Sequence, residues 1–353
     1  MPSDGRQSQP AGQDGRAMLT VEEQIGASER REPVNSFDPY LYHAEMPFTA
    51  VYYPLGFPLE LTTNSEAVLQ VAKESWGAFS PQFEVPALQL KIGVLDDGST
   101  ECPAALSFRA HRNLIVGIAD QDNFYVTDVV RGFSFAWLTA ATVSRKSYLR
   151  YHFLEAVALS HIANRYTAPI HAACVELNGR GVLLCGDSGA GKSSLAFACA
   201  RAGWTYITDD ASFLLNAQSD RKTVGNCHMM RFRPSAAELF AEVVGKPLTP
   251  RAGRNPSIEL LTETVPGIST ASSSSVDFIV FLNRQDVNIQ ELVPFSKKTA
   301  RRIMCPRLSN MEEFRRTQVA SVDRLLETEI FEIRYRNLDW AVDRLVRLVK
   351  EKE

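Results

Sequence analysis

These 353 residues predict an α/β fold with a smaller α+β region ahead of it, and three observations carry that prediction. Through the second half of the chain, β-rich runs alternate with helical segments, the pattern of a layered α/β structure. At its centre the apolar run Val182 to Cys185 leads through a glycine-rich turn into a helix-forming stretch. In the first half, several short β-rich runs follow one another between turn-prone residues. The expected division is a tail at 1–34, an α+β region at 35–150 and the α/β domain at 151–353.

In chain order, residues 1–34 are rich in Gly, Pro, Gln, Ser and charge and predict disorder, with a weak helical pattern only at Leu19 to Ile25. The β-formers from Val51 to Leu61 precede Asn64, the expected N-cap of a helix carrying Val68, Leu69, Ala72 and Trp76 on one face. The runs at 88–95, 105–111, 114–120 and 124–130 predict strands of an antiparallel sheet. A helix is expected over Tyr148 to Tyr166, closed by Pro169. Strands are then expected at 181–186, 205–208, 277–282 and 329–335, with helices after Lys192, Pro234 and Asn337. In the last of these, Leu338, Ala341, Val342, Leu345, Leu348 and Val349 recur every three or four residues. Residues 249–275 combine Pro, Gly and a serine run without apolar periodicity and predict a long mobile loop, functional or disordered.

Composition narrows the classes. A net charge of −3 and a pI near 6.1 lack the basic excess of a general nucleic-acid binder. No run approaches the roughly 20 apolar residues of a membrane span, and the N-terminus has no signal-type hydrophobic run. The six cysteines form no Cys-x-x-Cys pair and neighbour no His at ligand spacing, so they read as structural thiols in a reducing, cytoplasmic compartment. Neither nucleic acid nor membrane is an expected partner.

Residues 186–193 read Gly-Asp-Ser-Gly-Ala-Gly-Lys-Ser, which fits G-x-x-x-x-G-K-[ST]. The chemistry of such a loop is charge: successive backbone amides converge on phosphate oxygens, and the following helix adds its positive end. Gly186, Gly189 and Gly191 allow close backbone approach. Lys192 is placed for the β- and γ-phosphates and Ser193 for Mg²⁺. The candidate nucleotide-binding residues are therefore Gly186, Asp187, Ser188, Gly189, Ala190, Gly191, Lys192, Ser193 and Ser194, with ATP and Mg²⁺ as the expected cofactors.

The short strand ending at Thr208 runs into Asp209-Asp210. Beside a phosphate site, two adjacent carboxylates can divide two tasks, one holding the metal and the other accepting a proton from an attacking hydroxyl. Their order along the strand puts Asp209 as base and Asp210, with Ser193, at the metal. The competing reading is a solvated turn. A lone histidine such as His171 is more often structural. Arg231 and Arg233 both suit phosphate as well as they suit a strand surface, and Lys297, Lys298, Arg301 and Arg302 form a basic cluster beside Arg307. The apolar run from Val276 ends in Asn283 rather than a carboxylate, which leaves the metal to the acidic pair.

The stretch from His171 to Asp210 resembles the catalytic domain of the HPr kinase/phosphorylase family, which phosphorylates a serine of a small phosphocarrier protein. The resemblance rests on the leading His, the Gly-Arg-Gly turn, the loop at 186–193, the Arg-Ala-Gly after its helix, and Asp-Asp. It implies a P-loop kinase domain with a twisted mixed sheet, related in fold to phosphoenolpyruvate carboxykinase. It also implies an active-site role for His171. The family's Arg-Gly-x-Gly signature downstream of the acidic pair is replaced by HMMRFRPSAAELF, so the chain looks more like divergent HPr kinase-related proteins, some of them encoded beside peptide-modification systems. The function this implies is transfer of the γ-phosphate of ATP to a hydroxyl, a serine above all, of a peptide or small protein. A non-enzymatic ATP-binding regulator and a small-molecule kinase are the alternatives, and a homo-oligomer stays open.

Overall fold

Short runs rich in β-branched and aromatic residues build the first sheet. In the computed structural model, which describes residues 45–95, 101–103, 106–216, 220–251, 254–284 and 289–351, they give β1 (Phe48–Tyr52), β2 (Leu59–Thr63), helix α1 (Glu66–Trp76), β3 (Leu88–Leu95), β4 (Ser107–His111), β5 (Leu114–Ile118), β6 (Phe124–Asp128) and β7 (Phe133–Thr139). The expected tail at 1–34 and its Leu19 to Ile25 pattern lie outside the described residues.

The seven strands run in the order β1-β2-β3-β7-β6-β5-β4. The sheet is mixed rather than antiparallel as expected: β3 is parallel to both β2 and β7. Parallel neighbours require a crossover, which α1 supplies between β2 and β3 and the β4–β6 meander supplies between β3 and β7. Asn64 is not the helix cap. Its amide exchanges two hydrogen bonds with the backbone of Val94, at 2.9 and 2.8 Å, and Ser65 takes the cap position. The side chain thus serves a strand edge in place of a helix end.

The helix expected over 148–166 is present as one unbroken helical run, α3 (Lys146–Leu149), a π-helical turn over Arg150–Glu155 and α4 (Ala156–Arg165), with a short α2 (Ala140–Ser144) ahead of it. Phe153, Leu154, Val157 and Ile162 pack with Leu59, Leu61, Leu90 and Trp76 in the core of the first sheet.

The second region runs β8 (Thr167–Ile170), β9 (Ala172–Leu177), β10 (Arg180–Cys185), α5 (Lys192–Arg201), β11 (Thr205–Thr208), β12 (Ser212–Leu215), β13 (Lys222–Val224), β14 (Met229–Phe232), β15 (Leu248–Arg251), β16 (Arg254–Leu261), β17 (Ser269–Thr270), β18 (Ser273–Asn283), β19 (Glu291–Pro294), α6 (Lys297–Met304), α7 (Glu312–Leu325), β20 (Glu329–Arg334) and α8 (Leu338–Lys350). Ten of these strands form one mixed sheet, with β10 between antiparallel β9 and parallel β18. Strand alternation sorts its two faces. Ala173, Val175, Val182 and Leu184 pack with Leu195 of α5 and Leu345 of α8, while Cys174, Leu183, Cys185 and Ile279 pack with Met304 of α6 and Val322 of α7.

Two expectations fail here. Residues 249–275 are not a structureless loop, because they contribute to β15, β16 and β17 and reach into β18, and β14, β15 and β16 form a small antiparallel sheet. The alternation Ser257-Ile258-Glu259-Leu260 carries β16, and the neighbouring Pro and Ser residues mask so short a signal. After Pro234 the chain makes two 3₁₀ turns, Pro234–Glu238 and Ala241–Val243, in place of an α-helix. From Met46 onward the chain forms one compact unit. Among the described residues, no helix is long and apolar enough to cross a membrane.

Candidate active site

The register of the large sheet gathers the sequence-marked residues on one edge. β10 ends at Cys185, which lies opposite Ala172 at the start of antiparallel β9, so His171 and Gly186 come together. β11 also pairs with β9, and Asp209 and Asp210 follow directly after its end. β18 ends at Asn283 and β20 at Arg334, which brings Arg284 and Tyr335 to the same edge.

The turn at 186–191 needs its glycines for distinct reasons. A Cβ on Gly186 would lie 2.8 Å from the Cβ of Ala190, and Gly189 and Gly191 adopt φ of +92° and +98°. Within the turn the Ala190 amide donates to the Asp187 carbonyl at 3.0 Å. Gly191 caps α5 without a side-chain bond, so the amides of the helix's first turn are left for a ligand. Ser188, Gly189, Gly191, Lys192, Ser193 and Ser194 line a cleft of about 1240 Å³, together with His171, Asp209 and Asp210. The Asp187 side chain points to solvent, with its carboxylate 4.0 Å from Arg307.

Lys192 is buried. Its Nζ donates to the carbonyls of Gly186 and Asp187, at 2.9 and 3.2 Å, and meets His171 Nε2 at 3.0 Å. Desolvation lowers its pKa, opposed by Asp210. His171 Nδ1 lies 3.4 Å from the Asp210 carboxylate. Burial, and then the Lys192 charge, lower the histidine's pKa. The Lys192 ammonium therefore assigns Nε2 as the acceptor of a neutral ring, with the proton on Nδ1, the nitrogen on the Asp210 side.

The acidic pair divides sharply by environment. Asp209 is 5% exposed, and its carboxylate accepts the Arg231 amide at 2.8 Å and the Ser193 hydroxyl. Burial raises its pKa to about 6, and the nearby Asp210 acts in the same direction. The Asp210 side chain is 46% exposed and faces the cleft beside His171.

Arg231 and Arg233, equivalent in the sequence, part ways. The Arg231 guanidinium, on the wall of the same cleft, is held at 3.2 Å by both Glu155 and Glu259. Arg233 turns to the loop and donates to Ser188 Oγ at 2.9 Å. Arg307 of the basic cluster lines the cleft and Arg284 joins it from the end of β18. Arg284 carried no local signal beyond following an apolar strand.

Two carboxylates and a hydroxyl beside the loop are hard oxygen donors that fit Mg²⁺, an ion that takes its remaining ligands from phosphate and water. Among the described residues no group of three or more His, Cys, Asp or Glu side chains is arranged to hold a metal alone.

Residues 162–233 match a family model described as the HPr Serine kinase C-terminal domain. That span holds His171, the loop, the acidic pair, Arg231 and Arg233, while Arg284 and Arg307 lie beyond it. A solved structure of the Hpr(Ser) kinase/phosphatase from Coxiella burnetii is similar at 14% identity, covering 52% of this chain and 97% of that one with a TM-score of 0.31. No curated protein sequence matches.

Proposed function

From the premise that this chain is HPr kinase-related through residues 162–233, we propose that it is an ATP-dependent kinase that phosphorylates a serine hydroxyl of a peptide or small protein. The observation that carries this reading is the convergence of Lys192, His171, Asp209 and Asp210 on the helix-capping loop in one cleft. We assign the kinase domain to 151–353, the α+β region to 35–150, and the protein to the cytoplasm.

The loop amides and the Lys192 ammonium bind the phosphates; on nucleotide binding Lys192 exchanges its two loop carbonyls for phosphate oxygens. Mg²⁺, when bound, supplies positive charge that offsets the charge of the phosphates. Ser193 and one of the carboxylates would hold it. The order expected from the strand, Asp209 as base, gives way in our reading to the reverse. Asp209 is the carboxylate buried against Ser193, whereas Asp210 is open to an incoming hydroxyl and has His171 Nδ1 3.4 Å from its carboxylate. Asp210 then takes the hydroxyl proton as the acceptor oxygen attacks the γ-phosphorus and the bond to the β–γ bridging oxygen breaks, releasing ADP, while His171 positions the Asp210 carboxylate.

The test is incubation with labelled ATP and serine-containing peptides encoded nearby, read by mass spectrometry. Lys192→Ala should abolish transfer and nucleotide binding while the thermal transition persists, because Lys192 belongs to none of the apolar core clusters. Undiminished transfer by that variant would sink the loop assignment. Nucleotide binding by the wild type without transfer to any acceptor would favour the regulator.

A further inference from the structure

Two arginines from segments that no motif marks sit against the loop, one at Ser188 and Gly189 and the other at Gly191. Arg233, just after β14, donates to Ser188, and its Nη1 is 3.1 Å from where a Cβ on Gly189 would lie. Arg284, just after β18, places Nη1 3.3 Å from the corresponding position on Gly191. Its guanidinium lies over the ring of Tyr335, 5.4 Å from the centroid. Tyr335 is fully buried, and its hydroxyl, which has no hydrogen-bond partner, is 3.2 Å from that same Gly191 position. The aromatic platform fixes where Arg284 points.

Among the described residues neither arginine has a carboxylate in ion-pair reach, in contrast to Arg231, which has two. With Lys192 they surround one short loop with three cationic groups. Such charges repel one another, and a polyanion between them relieves that repulsion. A guanidinium fork matches pairs of phosphate oxygens, which an ammonium does not.

We propose that Arg233 and Arg284 are phosphate-contacting residues that grip a nucleotide's phosphate chain from both flanks of the loop and make the site selective for triphosphate over shorter chains. The inference rests on the reading of 186–193 as a phosphate cradle.

The test is calorimetric titration of the full chain with AMP, ADP and a non-hydrolysable ATP analogue in the presence of Mg²⁺. Arg233→Ala and Arg284→Ala should each weaken the triphosphate by about tenfold or more, ADP by less, and AMP by no more than about twofold. Arg284→Lys should restore only part of the loss, and Arg284→Gln stands in should the alanine variant fail to melt cooperatively. Arg301→Ala, an exposed arginine of α6 paired with Asp323 at 2.6 Å, controls for general charge loss and should leave all three affinities unchanged. Equal losses for the three nucleotides, or none, would overturn the inference while Lys192→Ala still upheld the cradle. A folded wild type that binds no nucleotide would overturn both.

Discussion

Burial separates the environments of the two carboxylates at 209 and 210, and the roles proposed for them have measurable consequences. Asp210→Asn should leave Mg·ATP affinity near normal while transfer falls by about 10²- to 10⁴-fold, because an amide accepts no proton. Asp209→Asn should instead raise the Mg²⁺ concentration needed for half-maximal activity. Measuring affinity and turnover separately decides the order, and equal, mild losses in both variants would reduce the pair to a surface turn. A second residue acts on stability alone. His161 is buried, its Nε2 lies 2.7 Å from Ser134 Oγ, and its Nδ1 has no partner. Burial lowers its pKa to about 4; Arg165 pushes the same way and Asp128 opposes. A folded pKa below the unfolded value means the unfolded state binds more protons in between. This contribution to stability is therefore complete above pH 6.5 and is lost as pH falls towards 4, about 3 kcal/mol in all. Denaturant unfolding from pH 7 to 4.5 should show that slope, and His161→Gln should flatten it. An unchanged slope in the variant would place the acid sensitivity elsewhere.

At the scale of elements, the π-helical turn at 150–155 is tied to the small sheet by one polar network. Glu259 of β16 accepts from Arg150 at 2.6 Å, from Arg231 at 3.2 Å and from Tyr151. Glu155 takes the other side of Arg231. Since the Arg231 amide also holds Asp209, the position of β14 is transmitted to the acidic pair. Glu259→Ala strips one of two carboxylates from a pair of poorly solvated guanidiniums and should cost about 3–5 kcal/mol in chemical denaturation. A loss below about 1 kcal/mol would mean that water or a repacked neighbour replaces the carboxylate.

Across the whole molecule, one expectation for the proposed kinase concerns its direction, and it rests on the wall built after the acidic pair. Where the HPr kinase/phosphorylase family carries Arg-Gly-x-Gly, this chain has β14 followed by a 3₁₀ turn, with Phe232, Ala236 and Leu239 lining the cleft. A kinase with that wall should run forward only. Phosphorylated product mixed with inorganic phosphate should release no rapid pyrophosphate, and substantial release would show that the signature is dispensable for phosphorolysis.

Short-range chemistry made part of this protein readable in its sequence alone. Glycine spacing, a preceding apolar strand and a following helix mark 186–193 because each works through neighbours a few residues away. The same holds for α8, whose buried stripe recurs at helical period and whose Asn337 cap accepts the Trp340 amide. Long-range pairing decided the rest. The mixed order of the first sheet and the strands within 249–275 depend on partners far along the chain. So do the opposite fates of Arg231 and Arg233, and of Asp209 and Asp210. Neighbouring residues of like chemistry are equivalent in sequence and become different only when tertiary packing buries or pairs one and leaves the other open. Arg284 reaches the loop for the same reason: β18 lies beside β10, and only the sheet makes them neighbours.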